Sequence, residues 1–364
     1  MNSGRAGIYL HVPFCRAKCP YCDFYSRAGS DRERADYVAA AGRALEAATF
    51  SLSADTLYFG GGTPSLLGAS ALLGLAEAAA RRFGLPADAE ITLEANPGTV
   101  DAPMLRALRA GGFTRISFGV QSTDDAVLLT LGRRHTAAEA ERAIGAAHDA
   151  GFSHISADLM LAVPGQTVEG TVRDVAALAA WPIDHLSAYL LQLEPQTAFA
   201  RRYAEPKEDF AADCYLAMVD ACAAHGFSQY EISSFARAPA AKSRHNLKYW
   251  RCEEYLGIGP AAHSFVGGRR FYFPRELDGF LRSGQPWSLC VDDGPGGGDE
   301  ERLLLGLRLC EGICPAQFPA REAALLRRAA PMAAAGLLQL RDGRIALTAR
   351  GFLVSNRIIA ALLE

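Results

Sequence analysis

The stretch Ile8–Ser26, IYLHVPFCRAKCPYCDFYS, opens as a β-type run and ends as a loop crowded with thiols. Three of the chain's nine cysteines, Cys15, Cys19 and Cys22, fall within eight residues, and the position two beyond the third is Phe24. Pro13 and Pro20 favour an irregular loop over a helix. Thiolates that hold an iron–sulfur cluster must all reach one compact cube, which a short loop with C-x3-C-x2-C spacing achieves. Three thiolates on four irons leave one iron free for a small chelator carrying an amine beside a carboxylate, and S-adenosylmethionine carries both. The competing readings are three buried thiols, or a zinc site completed by His11. Zinc usually takes four ligands at paired spacings, and this pattern does not supply two pairs.

Outward from that loop, GIYLHV at Gly7 is the first of six similar runs. TLYFGG at Thr56, ITLEAN at Ile91, RISFGVQ at Arg115, HISADLMLAV at His154 and HLSAYLLQL at His185 follow, separated by Ala/Leu/Arg-rich stretches of helical character. Six βα units in sequence predict a parallel sheet, so the fold class is α/β, a partial (β/α)6 barrel open on one side. The runs read as nearly continuous in apolar residues, as strands buried on both faces do. Glu94, Gln121 and Asp158 interrupt them near their C-terminal ends, where such a barrel carries its chemistry. The expected division is a barrel over 1–200, an extension over 201–290 and a C-terminal domain over 300–364. CVDDGPGGGDEE, near 290–301, reads as the linker before the last. Beyond it two helical stretches precede LLQLRDGRIALT, where Asp342-Gly343 signals a hairpin, and helix, helix, hairpin is the order of a winged helix.

The chain's 364 residues are half apolar and about one-fifth charged, as in an ordinary globular protein. No apolar run approaches the roughly 18 residues of a membrane span, and the N-terminus has no signal-peptide core, so a cytoplasmic chain without an integral membrane segment is expected. Nine cysteines without an export signal argue against a disulfide framework. Cys214 and Cys222 read as core thiols, and Cys310 and Cys314, four apart beside apolar residues, as bland thiols with a second metal site as the minor alternative. A formal net charge of −3 leaves no global basic footprint for nucleic acid. From residue 301 onward nine arginines face five acidic side chains. A DNA-binding winged unit is therefore a further reading, which the acidic whole disfavours.

The trio's flanks YLHVPFC and YCDFYS are followed in order by GGGTPS at Gly60, EANPGT at Glu94, SFGVQS at Ser117, GRRH at Gly132 and DLMLAVPGQT at Asp158. HNLKYW at His245 and YLGIGPAAHS at Tyr255 complete the series. Along nearly its whole length the chain resembles the radical S-adenosylmethionine superfamily, in the branch of oxygen-independent coproporphyrinogen III dehydrogenases and their HemW-type heme-chaperone relatives. The resemblance implies a [4Fe-4S] cluster on Cys15, Cys19 and Cys22. It also implies S-adenosylmethionine contacts at Tyr9, Gly61, Gly62, Thr63, Glu94, Gln121, Arg133 and Asp158, with the spacing from Gln121 favouring Arg133 over Arg134. On their own chemistry, Gly60 to Gly62 form a turn with no Cβ to block a ligand's approach. Glu94 and Asp158 read equally well as partners of a structural arginine, and Arg133 as a solvated helix residue.

The related dehydrogenases carry a fourth cysteine where this chain has Phe24, and usually an extra N-terminal segment, whereas here the first strand starts almost at residue 1. Both departures imply the chaperone branch, with heme bound and passed to apo-hemoproteins such as membrane respiratory enzymes. The resemblance assigns no catalytic residue, and an unidentified electron donor to the cluster is implied as a partner. A heme pocket needs an axial ligand, apolar walls and cations for the propionates. RHNLKYWR offers His245 with Tyr249, Trp250, Arg244, Lys248 and Arg251, and its HNxxYW pattern makes His245 the heme candidate, ahead of Cys252 and His263. The same residues read equally as a loop cap and a core filler. The alternative function is coproporphyrinogen III dehydrogenation or another tetrapyrrole-processing reaction, which shares every cofactor residue.

Overall fold

All six runs become parallel strands: β1 (Ala6–Val12), β2 (Ala54–Gly61), β3 (Glu90–Ala95), β4 (Arg115–Gln121), β5 (His154–Leu161) and β6 (His185–Leu190), neighbours in that order. The structure, a computed structural model, describes residues 5–364. Helices between the strands start where side chains satisfy their free N–H groups. Ser30 with Glu33 and Thr136 with Glu139 form capping boxes on the helices Asp31–Glu46 and Ala137–Asp149.

Each strand has two unlike faces, which differs from the continuous apolar burial expected. Ile8, Leu10, Leu57, Phe59, Leu93 and Phe118 are buried beneath the helices. Tyr9, Tyr58, Glu94, Ser117 and Asp158 alternate with such residues and line the interior. Polar residues are not confined to the C-terminal ends either, since Thr56, Glu90, Arg115 and His185 are buried at or near the N-terminal ends. A closed eight-stranded barrel fills its centre with apolar layers. This sheet stays open, and its interior is polar from end to end.

The segment expected as an extension continues the same sheet. At one edge β6 pairs with β8 (Ser234–Ala236), which pairs with β7 (Ser228–Gln229). At the other, β9 (Tyr255–Ile258) lies parallel to β1, and β10 (His263–Val266), β11 (Arg269–Tyr272) and β12 (Val291–Pro295) follow antiparallel. Half of the expected linker is thus an edge strand, and only Gly296 to Gly298 connect it to the next helix, Asp299–Gly306. A Cβ on Gly296 or Gly297 would lie within 3 Å of the Phe265 ring, so these glycines serve packing as well as turning. The C-terminal unit has the expected order: Asp299–Gly306, Glu322–Ala334, then the hairpin β13 (Leu338–Arg341) and β14 (Arg344–Leu347), with helices Ala349–Leu353 and Ser355–Leu363 behind it. Asp342 and Gly343 both have positive φ, as the two-residue turn requires. Cys214 and Cys222 are core thiols on the helix Glu208–Ala224.

Candidate functional site

The cysteine loop is a stirrup hung from the end of β1. Arg27 N–H donates to Pro13 O and Cys15 N–H to Arg27 O, both at 2.9 Å, so the loop closes on itself. Cys22 N–H donates to Cys19 O at 3.1 Å. All three thiols are free and partly exposed. Two receive donors from other loops: Thr63 Oγ1 at 3.5 Å from Cys15 Sγ, and Arg133 Nη1 at 3.5 Å from Cys19 Sγ. Hydrogen bonds and a cation of this kind stabilise thiolates. His11 does not complete a zinc set. Its Nδ1 pairs with Tyr9 OH at 3.0 Å and its Nε2 with Tyr25 O at 2.9 Å. Burial pulls its pKa down to about 4, so the ring is neutral.

The glycine turn after β2 lies directly against this stirrup. Gly61 has φ 106°, and a Cβ there would sit 2.6 Å from the His11 ring. A Cβ on Gly62 would sit 2.6 Å from Phe14 O. The turn therefore needs glycine because His11 on β1 and Phe14 at the start of the cysteine loop occupy the space, a reason distinct from ligand clearance. Glu94 grips the turn from the other side, accepting from Gly61 N–H at 3.1 Å and Tyr58 OH at 2.7 Å. Tyr9 lies beside Tyr58, with ring centroids 6.0 Å apart and planes tilted by 34°. Gln121 closes β4 with φ 74°, where pairing with β5 slips after Phe118.

Electrostatically the interior is poised for a cation. Burial pushes the Glu94 carboxyl up. Asp158 is pushed up to about 7, by burial first and by Glu94 second, against the Ser117 hydroxyl at 3.1 Å. Arg133, whose charge pulls the Asp158 pKa partly back down, spends its Nη2 on Gly119 O at 2.6 Å and on Asn96 Oδ1. A sulfonium or ammonium group between the carboxylates would relieve their mutual repulsion.

Sequence reasoning missed Asn96 and Tyr58. Arginine can only donate, so Asn96 must turn Oδ1 to Arg133 and Nδ2 to Thr63 Oγ1, at 2.9 Å. With its lone pair so engaged, the Thr63 hydroxyl aims its proton at Cys15. Asn96 thus links two donors that reach the Cys15 and Cys19 thiols. The signals were present, in EANPGT for Asn96 and in the alternation of TLYF for Tyr58.

His245 lies at the opposite end of the barrel from the cysteines. It is on the short helix Arg244–Trp250 and 1% exposed. Its Nδ1 pairs with Thr56 Oγ1 at 2.8 Å and its Nε2 with Tyr249 OH at 2.9 Å, while its ring stacks on Tyr58 at 5.0 Å. Glu90 caps the helix, accepting from the N–H groups of Arg244 and His245 and from buried Arg115 Nε at 3.1 Å. The expected propionate cations are spoken for: Arg244 and Lys248 pair with Asp55, and Arg251 with Glu311. In this structure the HNxxYW segment plugs the barrel floor, and neither nitrogen of His245 is free for an iron.

Residues 9–178 match the radical SAM superfamily and residues 300–354 the HemN C-terminal domain. The heme chaperone HemW of Mycobacterium tuberculosis (strain ATCC 25618 / H37Rv) is 38% identical over 98% of this chain and 94% of its own length. The chain belongs to the HemW family. HemW of Escherichia coli (strain K12) is 40% identical over 76% of this chain and 75% of its own. The solved coproporphyrinogen III oxidase HemN from Escherichia coli, described as a radical SAM enzyme, has the same fold. It superposes with TM-score 0.84 at 22% identity, covering 98% of this chain and 90% of that one. One fold therefore serves both names, and function has to be argued from the site. Radical SAM membership implies a [4Fe-4S] cluster and S-adenosylmethionine, and the thiols, their donors and the paired carboxylates fit both.

Proposed function

We propose that this chain carries heme on a radical SAM core and passes it to apo-hemoproteins, respiratory enzymes among them. The observation that carries the reading is identity of 38% over 98% of the chain to a relative named as a heme chaperone. Phe24 supports it, standing 67% exposed beside the cluster loop where the related dehydrogenases have a cysteine. Cys15, Cys19 and Cys22 hold the cluster, with Thr63 and Arg133 donating to its thiolates. Glu94 and Asp158 take up the positive charge of S-adenosylmethionine, Tyr9 and Gln121 flank it, and the Gly61–Gly62 turn offers backbone. When bound and reduced, the cluster supplies an electron to S-adenosylmethionine; the electron donor is an external partner. No helix among the described residues is long and apolar enough to cross a membrane, and the reading places the chain in the cytoplasm, reaching membranes through its partners.

Anaerobic reconstitution followed by parallel assays of heme binding and coproporphyrinogen III turnover tests the proposal. Heme binding without turnover is expected. Turnover without heme binding would replace the reading with a coproporphyrinogen III dehydrogenase.

A further inference from the structure

The two most exposed large apolar side chains among the described residues are Leu129, at 79%, and Phe24, at 67%. Both stand at the rim of the cysteine stirrup. Phe24 is on its returning arm. Leu129 is on the helix Asp125–Thr130, whose far end meets the stirrup: Leu129 O accepts from Gly132 N–H at 3.0 Å, and a Cβ on Gly132 would lie 2.9 Å from the Pro20 ring. A second helix, Ala198–Arg202, is pinned to the same loop by Phe199 N–H, which donates to Pro20 O at 3.0 Å. Tyr21, Val127, Leu131 and Phe199 share one small apolar cluster, so the three segments form a packed rim around the thiols.

That rim is basic. Arg16 and Lys18 lie between Cys15 and Cys19, Arg134 follows Arg133, and Arg201 and Arg202 end the helix Ala198–Arg202. All five are exposed, and among the described residues none has a carboxylate partner, whereas Arg27 and Arg275 pair with Glu33 and Asp23. Lys18 Nζ donates to Phe24 O at 3.0 Å, which sets its charge beside the exposed ring. The acids close by are engaged with backbone: Asp124 and Asp125 accept from the N–H groups of Ala126 and Ala137, both at 2.8 Å, and Glu205 from Leu193 N–H at 3.3 Å. A chain of formal net charge −3 thus gathers unpaired cations around one loop. Scattered surface arginines and single exposed apolar residues are ordinary. Their coincidence on the loop that carries three partly exposed thiols is what calls for a partner.

We infer that this rim is the docking surface of an acidic one-electron carrier protein, an inference that rests on the radical SAM core and the external electron donor proposed above. A carrier has to bring its redox group close to the cluster. The stirrup is where the site reaches the surface, since Tyr9, Glu94 and Asp158 line the interior. One electron leaves the carrier for the cluster, with no bond broken and no proton exchanged. Opposite charges steer the encounter and fix its orientation, and a small apolar centre suits the limited area of a transient redox contact. An anionic membrane surface also attracts cations beside apolar side chains, but it has no reason to centre on the thiols.

The test uses the full, anaerobically reconstituted chain with purified flavodoxin, an acidic flavin protein, as the probe. Calorimetry reads the affinity for its oxidised form, and stopped-flow absorbance reads the rate at which its reduced form bleaches the cluster. Raising salt from about 50 to about 500 mM should cut both about tenfold. The double variant Lys18→Glu with Arg134→Glu should lose about tenfold in both at low salt, with reduction by dithionite unchanged. Phe24→Ser should weaken binding and leave the salt dependence as it was. A double variant that binds and is reduced like the wild type overturns the docking surface and leaves heme carriage standing. So does a wild-type cluster that dithionite reduces and flavodoxin does not. If the double variant loses binding to phosphatidylglycerol vesicles while its flavodoxin rate is unchanged, the rim belongs to membranes and the inference falls. A wild-type chain that takes up no reducible cluster overturns the radical SAM reading itself.

Discussion

Lowering the pH from 8 to 6 should weaken S-adenosylmethionine binding through Asp158. Its carboxyl is pushed up to about 7 because it is buried and faces Glu94. A cationic ligand favours the ionised form. With a pKa near 7, the ionised fraction falls from about nine-tenths at pH 8 to about one-tenth at pH 6. Affinity that depends on that charge falls about tenfold, or about 1.4 kcal/mol. The ligand's own amino group titrates at roughly 7.7–8.0, so Asp158→Asn serves as the reference from which only the ligand's slope is read. Calorimetric titrations of both reconstituted chains across this range should show the wild type losing about tenfold more than the variant. Parallel slopes would refute the reasoning. The stability sign is opposite to that of a salt-bridged aspartate. A folded pKa raised above the ordinary value of about 3.9 gives stability that is complete below that value and lost as pH rises through 7. Ligand-free Asp158→Asn should therefore melt higher than the wild type at pH 8 while binding more weakly.

Gly62→Ala, which drives a Cβ onto Phe14 O, should cost about 1–3 kcal/mol in urea unfolding and lower the iron content after reconstitution. Gly74→Ala, in the helix Ala69–Phe83 with open space around it, should instead add about 0.5–1 kcal/mol. Arg115→Met strands the Glu90 carboxylate in the barrel floor and should cost about 3–5 kcal/mol in the same assay. Asn96→Ala frees the Thr63 and Arg133 donors from their aim at Cys15 and Cys19. Loss of about one hydrogen bond's worth of stabilisation should lower the cluster's one-electron potential by about 20–60 mV in a redox titration, and an unchanged potential with full iron content would exclude the link.

The six strands were legible because β-branched and aromatic runs alternate with Ala-rich helices over enough residues for the period to register. The faces of the strands were harder to read. TLYF and ITLE contain aromatic and polar residues whose destination depends on whether the barrel closes, and that is a property of the whole sheet. The grouping of Cys15, Cys19 and Cys22 was legible from spacing, because all three sit on a single loop. Glu94 and Asp158 needed the family resemblance, since one lies 64 residues from the other and only the parallel register brings them to one interior. His245 shows the limit most sharply. The HNxxYW pattern was legible, whereas the bonds of its histidine to Thr56 and Tyr249 were not, and Thr56 lies far away in sequence. VDDGP read as linker because its composition is that of a turn, yet backbone pairing with β11 makes it a strand.

The cysteine stirrup and the glycine turn are one packed unit. Gly62 N–H donates to Val12 O at 2.8 Å and Thr63 N–H to Phe14 O at 2.7 Å, on either side of the point where β1 becomes the stirrup. His11 fills the space above Gly61, and Tyr25, on the returning arm of the stirrup, accepts from His11. Whatever fixes Cys15 also fixes Phe14, and Phe14 fixes the backbone of Thr63. Glu94 then holds the far side of the same turn through Gly61 N–H. The turn's glycines have no side chains of their own, so these backbone bonds and the Glu94 carboxylate are what hold it against the stirrup. A displacement of Phe14 would therefore be felt at Thr63, whose hydroxyl reaches the Cys15 thiol.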